Sequence, residues 1–312
     1  MITKTKKSAI NYILICCCTY KRPEKLARLL RSLKEINYPV GIKTEILVVD
    51  NDRNSSAKGV CESSVLPVKL YYVTEEKKGL SNARNRALFK GIELFASHIA
   101  FIDDDEVADI NWLVNHVDFY NRFENIYISS GPTYKKFEQN YPDYILENRI
   151  FRVHSSKKLG QVKKTCASGN VFFPINICEE NDIYFSEEFN YSGSEDTDFF
   201  SRLSGLGFEI GWNYNAVNHE IVDDERASLK WILNRAFHNG YSVALTKCNG
   251  NNLKRLTYIL SHLCSIIYGL FCSLVFVFLG FTKFFNSLTL LSKNLGKLFG
   301  ALIMRKNNYY GE

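Results

Sequence analysis

Ala100-Phe101-Ile102-Asp103-Asp104-Asp105-Glu106 is the stretch on which the reading of this chain turns. A short apolar run ends in four consecutive acidic side chains. Packing alone does not ask for that ending. Neighbouring carboxylates repel one another, and each loses hydration when partly buried. A solvated acidic turn is one explanation. The other is a divalent cation, which relieves both costs and in turn suggests a phosphate as its further ligand.

Outward from this stretch, apolar runs alternate with amphipathic ones. Tyr12–Cys18 reads as a fully buried strand, and Pro23 then opens a helix with Leu26, Leu29, Leu30 and Leu33 on one face. Glu45–Val49, Lys69–Val73 and His98–Ile102 read as further strands. Between the last two, Lys78–Leu88 reads as a loop and helix with Ser81 at its N-cap. Strands alternating with helices predict an α/β fold with a mostly parallel, Rossmann-like sheet and flanking helices. Ligands of such sheets bind beyond the carboxyl ends of the strands. Those ends carry Thr19 and Arg22, Asp50 and Asn51, and Asp103 and Asp105. Downstream, Trp112–Phe123 reads as a helix and Val171–Phe173 and Phe208–Trp212 as strands. The span from about 127 to 165 has few clear signals. Glu195-Asp196 places a carboxylate pair at an apparent helix start, where N-capping would also account for it. Asn218-His219-Glu220 adds a histidine beside an acid.

Composition narrows the classes. With 46% hydrophobic residues among 312, a sizeable core is available. The formal charge of +6 is segregated. From Arg226 onward eleven Lys and Arg face the single acid Glu312, a net +10, while the remainder carries 28 basic and 32 acidic residues, a net −4. A basic, apolar tail on an acidic body suggests an anionic membrane surface and no nucleic acid. The nine cysteines include no CxxC pair and read as reduced thiols in a cytoplasmic body. The run Leu256–Phe281 is long enough to cross a bilayer. Beyond it Phe284, Leu288, Leu291, Leu295, Leu298 and Leu302 recur at helical spacing, opposite Lys283, Lys293 and Lys297. A single span would carry those lysines outward, against the positive-inside tendency. A re-entrant hairpin, or two helices in the cytoplasmic leaflet, avoids that conflict. The expected division is therefore a body over 1–245 and a membrane-associating helical tail over 246–312.

Five segments occur together: CTYKRPEKLARLL (18–30), ILVVDND (46–52), GLSNARNRAL (79–88), FIDDDE (101–106) and SGSEDTDFFSRL (192–203). In order and spacing they resemble the family 2 glycosyltransferases of GT-A fold, and among them the bacterial exopolysaccharide enzymes of succinoglycan type. The resemblance covers roughly residues 10–245. It implies that Thr19 and Arg22 line a nucleotide pocket, that Asp50 reads the base with Asn51 beside it, and that Gly79, Asn82, Arg84 and Asn85 form the pocket wall. It implies that Asp103 and Asp105 are a DxD motif, with Asp103 toward the ribose or sugar and Asp105 on Mg²⁺ or Mn²⁺. Asp104 is then a spacer and Glu106 a helix-start or loop residue. Asp196 becomes the catalytic base with Glu195 as its companion, and His219 a further metal ligand. The implied reaction is inverting transfer of one sugar from a nucleotide sugar, a UDP-sugar by default, to a saccharide or lipid-linked acceptor at the cytoplasmic face of the membrane. Processive synthases of this family carry a QxxRW motif; here Leu229-Lys230-Trp231 lacks both the Gln and the Arg. A nucleotidyltransferase of related fold would need a glycine-rich basic loop where Cys18–Pro23 stands. A non-catalytic sugar-nucleotide-binding subunit would not need the intact acidic sets.

Overall fold

A computed structural model describes residues 7–153, 158–190, 193–247 and 252–303. Tyr191 and Ser192, and Arg305 and Lys306 of the basic tail, lie outside these ranges. The elements are β1 (Tyr12–Thr19), α1 (Pro23–Glu35), β2 (Lys43–Asp50), α2 (Lys58–Ser63), β3 (Leu70–Thr74), α3 (Leu80–Glu93), β4 (His98–Ile102), β5 (Glu106–Ala108), α4 (Trp112–Arg122), β6 (Ile126–Ser130), β7 (Thr133–Phe137), α5 (Asp143–Leu146), β8 (Gln161–Lys163), β9 (Asn170–Pro174), α6 (Asn176–Glu179), α7 (Glu195–Gly205), β10 (Glu209–Trp212), β11 (Asn218–Val222), α8 (Leu229–Lys247), α9 (Asn252–Phe276) and α10 (Phe281–Ile303). Two compact units result. One holds Met1–Tyr134, Val153–Asn190 and Glu195–Glu220; the other holds Lys135–Arg152, Tyr191–Ser194 and Ile221–Glu312.

The first unit is built on an eight-stranded sheet of order β3-β2-β1-β4-β9-β6-β10-β8. β1 pairs in parallel with β2 and β4, β2 with β3, and β6 with β10, while β9 and β8 run antiparallel to their neighbours. Strand period sets the two cores. Ile13, Ile15 and Cys17 point to one layer, which holds Leu26, Leu29, Leu30 and Leu33 of α1 and Trp112 and Leu113 of α4. Leu14 and Cys16 point to the other, with Ala83, Ala87 and Leu88 of α3 and Phe199, Phe200 and Leu203 of α7. A sheet covered on both faces needs apolar residues at every position, which is why the central strands read as unbroken apolar runs. The leucines of α1 are at most 2% exposed, and each contributes about 1.5–3 kcal/mol of burial.

The strand order reverses between β1 and β4, because β2 and β3 lie outward of β1 and β4 lies on its other side. This switch point opens a crevice at the carboxyl ends of the two strands. Thr19 ends β1 there, in register with Asp50 at the end of β2, and the acidic tetrad follows β4. The tetrad does not start a helix. Glu106 opens β5, whose three residues pair antiparallel with Asn218–Glu220 of β11.

In the second unit, three long helices dominate. α10 lies against α8 at positions without side chains: a Cβ on Gly240 would sit 1.9 Å from the Lys293 carbonyl oxygen, and one on Gly296 would sit 1.9 Å from that of Phe237. A smaller cluster of Ile145, Phe151, Val222, Ala227 and Ile232 completes its interior.

Candidate active site

The acidic tetrad divides its labour by depth. Asp104 is 5% exposed and turns into β1, accepting hydrogen bonds from Thr19 Oγ1 at 2.8 Å and Arg22 Nη1 at 3.3 Å. Asp105 lies 3.6 Å from the same guanidinium. Asp103 keeps 45% of its side-chain surface and receives Arg84 Nη2 at 3.5 Å. Glu106 is buried, and its Oε2 accepts the Asp103 N–H at 3.1 Å and Asn218 Nδ2 at 2.7 Å. The spacer and the residue read as a helix start are therefore structural members of the cluster. Asp104 anchors the tetrad to β1, and Glu106 fixes the turn that exposes Asp103, while Asp105 is 7% exposed.

The electrostatics follow from this crowding. Burial pushes Asp104 up to about 6, with Asp105 adding to the rise and Arg22 and Thr19 opposing it. Burial raises Asp103 as well; Arg84 pulls it back while Asp105 and Glu220 push it further up. Glu106 is held well above the usual carboxylate range by burial and by Asp103, Asp105 and Glu220. Gly169 permits the crowding, since a Cβ there would meet Asp103 Oδ2 at 2.7 Å and Glu106 Oε1 at 2.9 Å.

Arg84 links the tetrad to the second acidic pair. It is 4% exposed and donates to Glu195, itself 5% exposed, as well as to Asp103. Burial opposes its charge, but Glu195 and Asp103 more than offset that and hold it protonated. Glu195 is thus committed to an ion pair. Its neighbour Asp196 opens α7 and accepts from the Thr197 N–H at 2.6 Å. Burial, then Glu195, lift Asp196 to about 6 against the pull of Arg84. A carboxylate poised there can take a proton from a hydroxyl near neutral pH.

The residues expected along the nucleotide wall brace one another. Asp50 is fully buried, and its oxygens already accept from the Asp52 N–H (3.0 Å), the Ala57 N–H (2.8 Å) and Tyr72 Oη (2.9 Å). It anchors the loop between β2 and α2. Asn51 Nδ2 donates to the carbonyls of Glu75 and Lys77, and its Oδ1 accepts the Gly79 N–H at 2.8 Å. Asn82 Nδ2 reaches the carbonyls of Lys77 and Lys78 at 3.2 Å. Asn85 exchanges two 2.8 Å bonds with the backbone of Phe185. The helix start lies two residues earlier than expected: Gly79, at φ 140°, is the N-cap of α3, and Ser81 sits inside the helix and donates to the Ser186 carbonyl. A Cβ on Gly79 would fall 2.3 Å from Asn190, so the loop closes there only on glycine.

His219 lies in the same short ladder as Glu106. It pairs with Val107 across the β5–β11 ladder, and its ring lies 6.2 Å from that of Tyr134. Strand alternation gives one face to Asn218 and Glu220 and the other to His219. Glu220 is accordingly the residue of that trio that acts on Asp103 and Glu106. Among the described residues no three His, Cys, Asp or Glu converge on a metal geometry. Asp103, beside Arg84, and Asp105, beside Arg22, still supply carboxylate oxygens, the hard donors that such ions take. That set fits Mg²⁺ or Mn²⁺ completed by phosphate oxygens and water.

Behind the crevice, Asn170 joins four buried groups. Its Oδ1 accepts from Trp112 Nε1 (2.8 Å) and contacts His116 Nε2 (2.9 Å), and its Nδ2 donates to the carbonyls of Pro132 and Ala216. Nothing in the residue pattern singled out this asparagine. It follows Gly169 directly and so holds the strand end against which the tetrad packs.

The family model for glycosyl transferase family 2 matches residues 14–181, just over half the chain and including β1 through the tetrad. The chain belongs to glycosyl transferase family 2. It is 30% identical over 233 residues to the succinoglycan biosynthesis protein ExoM of Rhizobium meliloti (strain 1021), covering 73% of each chain. It is 21% identical over 243 residues to the glucosyl-dolichyl phosphate glucuronosyltransferase of Haloferax volcanii, covering 74% of this chain and 75% of that one. Among solved structures, the mannosyltransferase PcManGT of Pyrobaculum calidifontis, in complex with GDP-Man and Mn²⁺, superposes with a TM-score of 0.63 at 16% identity, over 96% of this chain and 91% of that one. Residues 1–349 of S. aureus TarS, in complex with UDP, superpose with a TM-score of 0.53 at 18% identity, over 73% of this chain and 65% of that one, just under two thirds of its length. The fold of this family 2 enzyme is GT-A, as the sheet order and switch point required.

Proposed function

We propose that this glycosyltransferase is inverting and metal-dependent, moving one sugar from a nucleotide-sugar donor, a UDP-sugar by default, to a saccharide or lipid-linked acceptor. We place it in cell-surface polysaccharide biosynthesis at the cytoplasmic face of the membrane, with a catalytic domain over 1–245 and a membrane-associating tail over 246–312. The observation that carries the reading is the Arg84 bridge. One buried guanidinium ties Asp103, after β4, to Glu195, beside Asp196. A transfer site needs an acidic group for the diphosphate side and a base for the acceptor side, held at a fixed separation. The name of ExoM supports polysaccharide biosynthesis, and that of the dolichyl-phosphate enzyme supports a lipid-linked saccharide acceptor. The UDP and GDP-Man complexes of similar folds support a nucleotide-sugar donor.

Asp103 and Asp105 would hold Mg²⁺ or Mn²⁺. When bound, the ion neutralises charge growing on the departing diphosphate. Asp196 takes the proton of the acceptor hydroxyl as that oxygen bonds to the anomeric carbon. The bond from that carbon to the diphosphate breaks, and its electron pair leaves with the diphosphate. Attack opposite the leaving group inverts the centre. Glu195, paired with Arg84, positions Asp196 and balances the guanidinium. Thr19 and Arg22 hold Asp104 and thereby the tetrad. Asp50, Asn51, Gly79, Asn82 and Asn85 act as the frame of the nucleotide wall, with His219 as a further ligand for the ion.

Asp196→Asn tests the assignment. Transfer should fall by about 10²–10⁴-fold while donor binding with Mn²⁺ is kept. Unchanged turnover would overturn Asp196 as the base.

A further inference from the structure

We infer that α9 and α10 form a hairpin lying along one leaflet of an anionic bilayer, held there by the outward face of α9 and the turn after it, and not a membrane span. The inference rests on the membrane attachment proposed above and specifies its geometry. α9 carries a window of mean hydropathy 2.0 between Arg255 and Phe276, of which 11% is buried. Its exposed apolar side chains cover one broad face: Leu260, Leu263, Ile267 and Leu274 recur every three or four residues with Tyr268 and Leu270 beside them, each at least 40% exposed. The turn continues the surface with Val277, Leu279 and Phe281, at 54, 54 and 76%.

The opposite face of α9 is occupied. Gly269 approaches Leu291, Ser273 shares a buried hydrogen bond of 2.8 Å with Ser287, and Arg255 donates to the carbonyls of Ala301 and Leu302. The two helices therefore run side by side and antiparallel along their length. α10 in turn is contacted by the rest of its unit along one face, while Leu295, Phe299, Leu302 and Ile303 stay 42–53% exposed. Tyr144 meets Phe285 in a tilted ring pair at 4.6 Å, Asn148 bonds Thr289, Ser292 donates to the Leu233 carbonyl, and Gly296 and Gly300 receive α8. A helix crossing the bilayer upright would carry α10 with it. It would submerge Lys283 and Lys293 of α10, at about 2.5–3.5 kcal/mol for each charge near the bilayer centre. Lying flat, α9 buries its apolar face and leaves α10 and α8 in water. A length of about 33 Å suits an interfacial helix as well as a span, so length does not decide; the one-sided apolar face does. Lipid is favoured over a second copy because the sequence from 226 to 311 holds eleven basic residues and no acid, a charge that repels its own copy and attracts anionic headgroups.

The test is flotation of the full chain with vesicles of equimolar phosphatidylcholine and phosphatidylglycerol, against phosphatidylcholine alone, with labelling by a membrane-impermeant maleimide. In a Cys264→Ser background, Phe278→Cys reports on the turn. The inference predicts binding to the anionic vesicles, protection of that thiol from reagent outside, and no labelling by reagent enclosed in the lumen. Ile267→Lys with Leu274→Lys should lower the bound fraction by about tenfold or more while transfer to a soluble acceptor is unchanged. Labelling from the lumen would establish a span, overturning the flat geometry and leaving membrane attachment intact. Absence of vesicle binding, with or without a dimer that covers the apolar face, would overturn the inference and the attachment together. Transfer to the soluble acceptor stays an independent measure of the enzyme.

Discussion

Arg84 is the side chain whose loss reaches furthest. Removing it strands Glu195, 5% exposed, without a counter-charge, and frees Asp103 to move. Arg84→Met should cost about 3–5 kcal/mol in denaturant unfolding, the usual penalty for one half of a buried pair. Asp196 sets the pH response. Its carboxyl is lifted to about 6, chiefly by burial, and the base must be ionised to act. The initial rate at saturating donor should therefore be flat above about pH 6.5 and fall tenfold per unit well below pH 6. Asp196→Glu should shift that midpoint, which a purely structural role would not do. Gly169→Ala inserts a methyl 2.7 Å from Asp103 Oδ2. Turnover should drop by about 10²-fold from misplacement of the carboxylate, with the midpoint of thermal unfolding little changed.

Among the elements, those that were legible in the residues owe it to double burial. β1, β2 and β4 are covered on both faces, so their apolar runs are unbroken, and their observed limits differ from the expected ones by at most two residues. The pair β5 and β11 was not legible. Three residues of mixed character, Glu106-Val107-Ala108, carry no period, and their strand character comes from pairing with β11, 112 residues away at Asn218. That missed ladder misassigned Glu106 and hid the facing of His219, since only a strand puts Asn218 and Glu220 together. The N-cap of α3 went to the wrong residue for a related reason. Serine is the favoured cap by type, whereas here Asn51 and Asn82 fix the loop and glycine is required by contact with Asn190. The role of Asp50 was likewise invisible, because its three donors come from a loop and from Tyr72 on β3. In the second unit, Gly296→Leu should separate α8 from α10, because the Phe237 carbonyl occupies that space. A loss of about 2–4 kcal/mol and a lower unfolding midpoint are expected, measured by circular dichroism.

The whole molecule joins a strand-end acid cluster to a basic apolar tail. Both were legible from composition and order, whereas the second unit's inclusion of Lys135–Arg152 was not. Aromatic residues in that stretch pack onto later helices, as Phe151 does on Trp231, and nothing local announces it. Burial holds Cys16, Cys17 and Cys166 well above the usual thiol range and Cys18 up to about 12, so the catalytic unit should resist thiol reagents at neutral pH. The central claim is that Asp103 and Asp105 receive a metal-bound nucleotide sugar. The direct measurement is the thermal unfolding midpoint with a panel of UDP-, GDP- and dTDP-sugars, with and without Mn²⁺, for the wild type and Asp105→Asn. The account predicts that one donor raises the midpoint only when Mn²⁺ is present, as for a ligand at about 100 times its Kd stabilising by about 2.7 kcal/mol, and that Asp105→Asn removes the rise. A donor-induced rise that is the same without Mn²⁺ or in the variant would contradict it.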